Sequence, residues 1–208
     1  PGNLVSISSP RPSPVYAQTF VGYDFSRHYF IASRPSGPGV NVPPDSYGYV
    51  DTETGDVTVL GTVTGGPASP PIWQSASWDR TTNTVYVLTN PDLYTIDLDT
   101  GVVSLVGTIS GESIAPDPQF VTIAVSPDGL MYAIDVASNV LVAIDKTDAS
   151  AAVIGPLGFN PNNHQDMAFD HSTGILYWAS FQSSGASNMM TVDLINGSTT
   201  LVAPMAHA

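Results

Sequence analysis

The sequence has no cysteine, and this absence excludes disulfides, thiolate zinc sites and cysteine nucleophiles together. It also has no apolar run close to the roughly 18 residues that a membrane crossing needs, so it predicts no membrane span. Neither a Gly-x-Ser-x-Gly nucleophile turn nor a phosphate-binding loop ending in Gly-Lys occurs. Stability must therefore come from packing, and no nucleotide or serine-hydrolase chemistry is indicated.

Basic residues are scarce, with five Lys and Arg against 18 Asp and Glu. Nucleic-acid binding needs clustered cations that neutralise phosphates, and the basic residues here are scattered along the chain. Only Glu53 and Glu112 among the acids are glutamates, and the aspartates have short side chains that cap turns. We therefore exclude nucleic acid as a partner and interpret much of the acidity as turn chemistry.

A pattern of four short segments recurs along the chain. In the second copy, segment a (76–79) is apolar and ends in Asp, segment b (85–88) is apolar with Tyr, segment c (94–97) ends in Asp, and segment d (102–105) is rich in valine. An Asp-x-x-x-Gly turn joins c to d, as a tight antiparallel connection requires. Each copy is thus predicted to be one antiparallel sheet of four strands.

The repeat has the period of a propeller blade. Its third-strand aspartates, Asp51, Asp97, Asp145 and Asp193, recur at intervals of 46, 48 and 48 residues. Segments a and b are apolar on both faces, which indicates sheets covered on both sides, and no helical periodicity occurs. The sequence predicts one all-β domain over 1–208, a β-propeller of about four blades at approximately 18–63, 74–109, 119–156 and 165–205.

One strand is in surplus. Residues 3–8 resemble a further segment d and would form an extra outer strand. Either the ring closes at four blades and this strand pairs with the last sheet, or the four blades are part of a larger propeller. An unclosed array would expose sheet edges, through which the chain could self-associate.

The segment Gln165–Tyr177, with the Tyr-x-x-Asp-x-x-Thr-Gly turns, resembles the blade repeats of secreted bacterial β-propeller proteins, NHL-like or uncharacterised. This resemblance implies an extracellular or secreted location. It covers nearly the whole chain, but its motifs specify blades and no chemistry. The fold carries many functions, so function must be argued from a site.

Residues that open strand a are the predicted ligand contacts, because in propellers the d-to-a and b-to-c loops gather on one face. Here aromatics recur beside amides, a pairing that could stack on a sugar ring and bond its hydroxyls. The alternative is that the amides cap strand ends and the aromatics fill gaps between blades. With contacts from the long loops 34–46 and 181–188, the predicted ligand-binding residues are Tyr16, Gln18, Arg34, Trp73, Gln74, Gln119, Phe120, His164, Gln165 and Trp178.

Metal ligation is weakly indicated. Asp97-x-Asp99-x-Gly101 resembles the start of a calcium loop, but no bidentate Glu follows and a hairpin turn explains the same residues. Calcium stays open, and no other cofactor is predicted.

Two functions are compatible with these observations. The first is a non-catalytic extracellular binding module that recognises a glycan or a protein partner through one propeller face. The second is a hydrolase or lyase acting on a sugar or lactone, with His164 and Asp166 as acid and base around an axial metal.

Overall fold

A computed structural model describes residues 17–23, 27–32, 45–67, 72–162, 165–182 and 185–205, the first of these as backbone only. It contains four antiparallel sheets of four strands, which we number as blades 1 to 4 in chain order. Blade 1 consists of β1 (Ala17–Tyr23), β2 (Arg27–Ala32), β3 (Ser46–Asp51) and β4 (Val57–Thr62). Blade 2 consists of β5 (Ser75–Asp79), β6 (Thr84–Thr89), β7 (Asp92–Ile96) and β8 (Val103–Thr108).

Blade 3 consists of β9 (Phe120–Val125), β10 (Met131–Asp135), β11 (Val140–Ile144) and β12 (Ala151–Pro156). Blade 4 consists of β13 (Asp166–Asp170), β14 (Ile175–Phe181), β15 (Ser187–Val192) and β16 (Thr199–Met205). Each strand pairs with the next along the chain, so every sheet is a simple meander. The predicted all-β propeller class is confirmed, whereas the surplus strand at 3–8 lies outside the described residues.

The turn between the last two strands of each blade is built by an aspartate. In blade 2, the Asp97 carboxylate accepts hydrogen bonds from the Asp99 amide at 2.8 Å and the Thr100 amide at 3.3 Å. Gly101 then adopts φ +73°, a conformation that is strained for a side-chain-bearing residue. The Asp-x-x-x-Gly spacing thus produces the hairpin through side-chain capping followed by a left-handed residue.

The blades pack face to face in chain order. First strands lie side by side, β1 against β5, β5 against β9 and β9 against β13, so they converge at the centre. Apolar clusters fill the three spaces between consecutive blades. Among the described residues, β13 makes no comparable contact with β1. The described part of the chain also contains no helix with the length and apolar composition of a membrane span.

Candidate functional site

A groove of about 760 Å³ lies between blades 1 and 2 at the lower end of the propeller, where first strands turn into second strands. Its aromatic side chains are Tyr29 from blade 1 and Trp78 from blade 2. Its polar side chains come from the β5–β6 turn, the start of β6, the end of β7, the β7–β8 turn and the start of β8. They include Asn83, Thr84, Thr95, Asp97, Asp99, Thr100 and Ser104. The groove therefore combines flat apolar rings with carboxylates, hydroxyls and an amide.

The two rings are held in fixed orientations. Trp78 is half-buried, and its Nε1 donates a hydrogen bond to Oδ1 of Asn83 at 3.1 Å. The Arg80 guanidinium carbon lies 5.5 Å from the Trp78 ring centre. Across the groove, Tyr29 meets Tyr49 edge to face with ring centres 5.9 Å apart. Rings oriented in this way can stack against the flat apolar face of a ligand without first losing rotational freedom.

The charge of the groove is negative. Hydrogen bonds, first from the Asp99 amide and then from the Thr100 side chain, hold the pKa of Asp97 below its usual range, so this carboxylate is ionised at neutral pH. The described residues that line the groove include two aspartates, Asp97 and Asp99, and the cation nearest to its rings is Arg80, placed against Trp78 as described above, so that carboxylates are in excess. This arrangement disfavours an anionic ligand and offers acceptors to hydroxyl or amine donors.

Three aromatics of the predicted binding face are core residues. Trp73, Phe120 and Trp178 are 1%, 0% and 0% exposed, so as placed they present no surface to a ligand. Trp73 packs edge to face on Tyr94 at 6.1 Å, and Trp178 stacks on Phe159 at 5.1 Å. They fill the spaces between blades, which is the alternative role that the sequence left open.

Three of the four glutamines of that prediction have described side chains, and they lie at the upper end, where each blade begins. Gln74 and Gln119 precede β5 and β9 and donate backbone hydrogen bonds, to the Leu88 carbonyl at 2.8 Å and the Asp135 carboxylate at 2.8 Å. Gln165 directs its side-chain amide to the carbonyl of Asn162. Of the remaining predicted contacts, Tyr16, Arg34 and His164 lie outside the described residues, as does the side chain of Gln18 in β1.

Asp166, the predicted acid or base, is the first residue of β13. Its carboxylate accepts hydrogen bonds from Thr122 Oγ1 at 3.2 Å and from the Met167 amide at 2.9 Å. Its side chain is open to solvent on one side, but the surrounding protein displaces enough water to raise its pKa. Because His164 lies outside the described residues, the His164 and Asp166 pair stays an untested prediction.

Metal ligands do not gather in the described part of the chain. No three His, Asp or Glu side chains come together there. In the turn that resembles a calcium loop, Oδ1 of Asp97 already accepts two backbone hydrogen bonds. Calcium on the turns therefore stays a prediction with a competing structural explanation.

The sequence contained the residues of the groove but no signal of the groove itself. The sequence predicts a strand at Trp78-Asp79 and a turn at Asp97-x-Asp99, and both pairs lie in those elements. What makes them a site is the gap between two blades whose equivalent third-strand aspartates, Asp51 and Asp97, are 46 residues apart in the sequence. A relation of that kind depends on how closely two sheets approach, and a repeat pattern does not encode it.

Comparison with known proteins agrees with the fold and leaves the family open. No protein-family model and no curated protein matches the sequence. A protein of unknown function from Bacteroides thetaiotaomicron is similar in structure, with TM-score 0.59 and 10% identity over 91% of this chain and 44% of its own. An auxiliary nutrient binding protein from the same organism has TM-score 0.56 and 13% identity over 93% of this chain and 42% of its own.

A structure of a nidogen/laminin complex is also similar, with TM-score 0.52 and 11% identity over 86% of this chain and 59% of the matched chain. The chain thus spans less than two thirds of the length of the structures it resembles. At these identities the likeness establishes the class of fold, a β-propeller.

Proposed function

We propose that this chain is a non-catalytic binding module that holds a neutral glycan in the groove between blades 1 and 2. The observation that supports this best is the pairing of two oriented aromatic rings with ionised and hydroxyl acceptors in one groove. Sugar rings have an apolar face that stacks on aromatics and a rim of hydroxyls that donates to such acceptors. A protein partner, the other ligand class predicted from the sequence, would use the same rings as anchors.

The similar structures are compatible with binding as the general role. One is described as a nutrient binding protein and another contains nidogen and laminin in complex. The hydrolase or lyase hypothesis has less support, because the described residues place no second titratable side chain in hydrogen-bond contact with Asp166. An extracellular location stays a prediction from the resemblance of the repeats.

The test is binding to immobilised oligosaccharides, one set neutral and one set rich in uronic acids. We expect retention of neutral members only, because the acidic groove repels carboxylates. Replacing Trp78 with Ala removes the stacking surface and should weaken binding about tenfold, the equivalent of roughly 1.4 kcal/mol. Tyr177→Ala is the matched control, since Tyr177 is a half-buried aromatic at a distance from the groove.

Two results would contradict the proposal. The first is equal retention of wild type and Trp78→Ala by the same sugar, which would place the binding elsewhere. The second is preferential retention of uronic acids, which the charge of the groove does not allow. Binding of a protein but of no saccharide would show that the ligand is a protein partner, the other class predicted from the sequence.

A further inference from the structure

Each blade has a far face, which we define as the side that looks toward the following blade. Five positions on this face are equivalent by strand register, and in blades 2 and 3 they are occupied by similar residues. In blade 2 they are Ser75, Ser77, Tyr86, Leu88 and Leu93. In blade 3 they are Thr122, Ala124, Tyr132, Ile134 and Leu141. In blade 4 they are Asp166, Ala168, Tyr177, Ala179 and Met189.

The next blade buries these positions wherever a next blade is present. All five in blade 3 are buried at its contact with blade 4. Four of the five in blade 2 are buried at its contact with blade 3, and Ser77 is half-buried. In blade 4 none of the five is buried: Asp166 and Ala168 are exposed and the other three are half-buried. The far face of blade 4 therefore has the residue types of a blade-to-blade interface, and no described residues cover it.

The first strands of the blades form a series of hydrogen bonds from one blade to the next, and this series stops at blade 4. The Ser75 hydroxyl in blade 2 accepts the backbone N–H of Ile123 in blade 3 at 3.0 Å. One blade further, the Thr122 hydroxyl accepts the backbone N–H of Met167 at 3.2 Å. Asp166 occupies this position in blade 4, where its Oδ1 accepts hydrogen bonds from the Thr122 hydroxyl of blade 3 and from the Met167 amide. Among the described residues no donor is bonded to its Oδ2, which is the oxygen left for an N–H of a further strand. A further first strand would continue the series with a charge-assisted hydrogen bond.

We propose that the far face of blade 4 is an interface that receives a further propeller blade, supplied by polypeptide other than the described residues 17–205. The argument is continuity: the same face is covered by a blade in the two preceding repeats, and Asp166 stands at the register position from which Ser75 and Thr122 accept an N–H of the following blade. Propeller arrays expose unpaired faces unless their ring is closed.

A further blade is the occupant that continuity favours, because blades 3 and 4 each present a near face to the blade before them. The opposite end of the array is different, since on the near face of blade 1 Phe30 and Ala32 are each 2% exposed and Ser46 is 1% exposed. Blade 4 therefore has the open face. A second copy of the chain on that face is an outcome that the second experiment distinguishes.

The first experiment compares three equivalent tyrosines. Tetranitromethane modifies accessible tyrosine rings, and peptide mass spectrometry reports each site. In the 208-residue chain we expect Tyr177 to react at least about tenfold faster than the buried Tyr86 and Tyr132, since protection follows burial. In the protein recovered from its natural source without denaturation, Tyr177 should be as protected as the other two. Equal reactivity of Tyr177 in both samples, or its protection in the 208-residue chain alone, would overturn the proposal.

The second experiment uses charge on the far faces. In the 208-residue chain, Ala179→Lys should leave the thermal midpoint within about 2 °C of wild type, because the position is only half-buried and a lysine there can reach solvent. The register-equivalent Ile134→Lys should unfold the chain or lower the midpoint by about 10 °C or more. Sedimentation distinguishes the occupants: a dimer of wild type that Ala179→Lys dissociates would show that a second copy covers the face, contrary to the proposal.

Discussion

Blades 3 and 4 have the same strand order and the same sequence pattern, yet their burial differs. Every residue of β9 and β10 is buried, whereas β13 and β14 alternate between buried and accessible positions. The alternation follows the two faces of the sheet, because Met167, Leu176 and Trp178 pack on blade 3 and their neighbours do not. Strands in this fold are thus buried by the adjacent blades. A strand with apolar residues on both faces needs a neighbouring blade on each side to be buried completely.

The largest test of this comparison is to truncate equivalent residues in the two blades. Leu141 is 0% exposed on the far face of blade 3, and Leu141→Ala should lower the free energy of unfolding by about 3 kcal/mol, because it leaves a cavity against blade 4. Met189→Ala, at the register-equivalent position of blade 4, should cost less than about 1 kcal/mol. Urea unfolding of both variants measures the difference. Equal costs would show that the far face of blade 4 is covered in the 208-residue chain.

A smaller effect is expected at the ion pair between blades 2 and 3. Lys146, in the last turn of blade 3, pairs with the Asp79 carboxylate at the end of β5. Burial alone would raise the pKa of Asp79, but hydrogen bonds from Lys146, Thr81 and Thr82 hold it well below its usual range. Lys146→Met should cost about 2 kcal/mol, since it leaves a buried carboxylate with only hydroxyl and amide donors.

The pH dependence of that pair has a definite sign. Because the folded state lowers the pKa of Asp79, its contribution is fully present above the ordinary value of 3.8 and is lost as pH falls below it. Blade 4 serves as the comparison, because Leu194 takes the place of Lys146 in its equivalent turn. Thermal unfolding of Lys146→Met across pH 2 to 7 should approach the wild-type curve at the acid end. A constant difference at all pH values would mean that packing by the lysine stem, and not charge, is responsible.

The smallest effect is expected at Asp166, where blade 4 has a carboxylate in place of the hydroxyl of Thr122. Desolvation raises the pKa of Asp166, so its ionisation destabilises the folded chain as pH rises through the interval above 3.8. Asp166→Asn should therefore raise the thermal midpoint slightly at pH 7 and leave it unchanged well below pH 3.8. A lower midpoint at pH 7 would indicate that the charged carboxylate already has a donor partner on the far face.

The fold could be predicted because the strands and turns of each blade are determined by residues close together in the sequence. Aspartates followed by Gly or Ala mark the last turn of every blade, and Gly55, Gly101 and Gly197 adopt the positive φ that the spacing implied. In blade 3 Ala149 takes this place at φ 62°, so the position tolerates a small side chain. Four-stranded units that repeat at this spacing, with strands that are apolar on both faces, are typical of the blades of a propeller.

The site could be predicted only in part, because exposure depends on distances between blades. Trp73 and Trp178 lie in the segments that open and follow each first strand, as expected, but both rings point into the core. Trp78 has the same residue type and is half-buried beside a groove. Nothing local distinguishes these tryptophans; the packing between sheets does, and one sequence does not report it.

The ion pair that joins blades 2 and 3 has a practical consequence for how this protein is handled. Lys146 is the sole lysine of the chain, so reagents that couple to primary amines have one side-chain target besides the amino terminus. Acylation of that amine would remove the positive charge that pairs with Asp79 and would weaken the contact between blades 2 and 3. Immobilisation or dye labelling through amines would therefore select weakened molecules, and attachment through an introduced cysteine on a turn would preserve the native assembly.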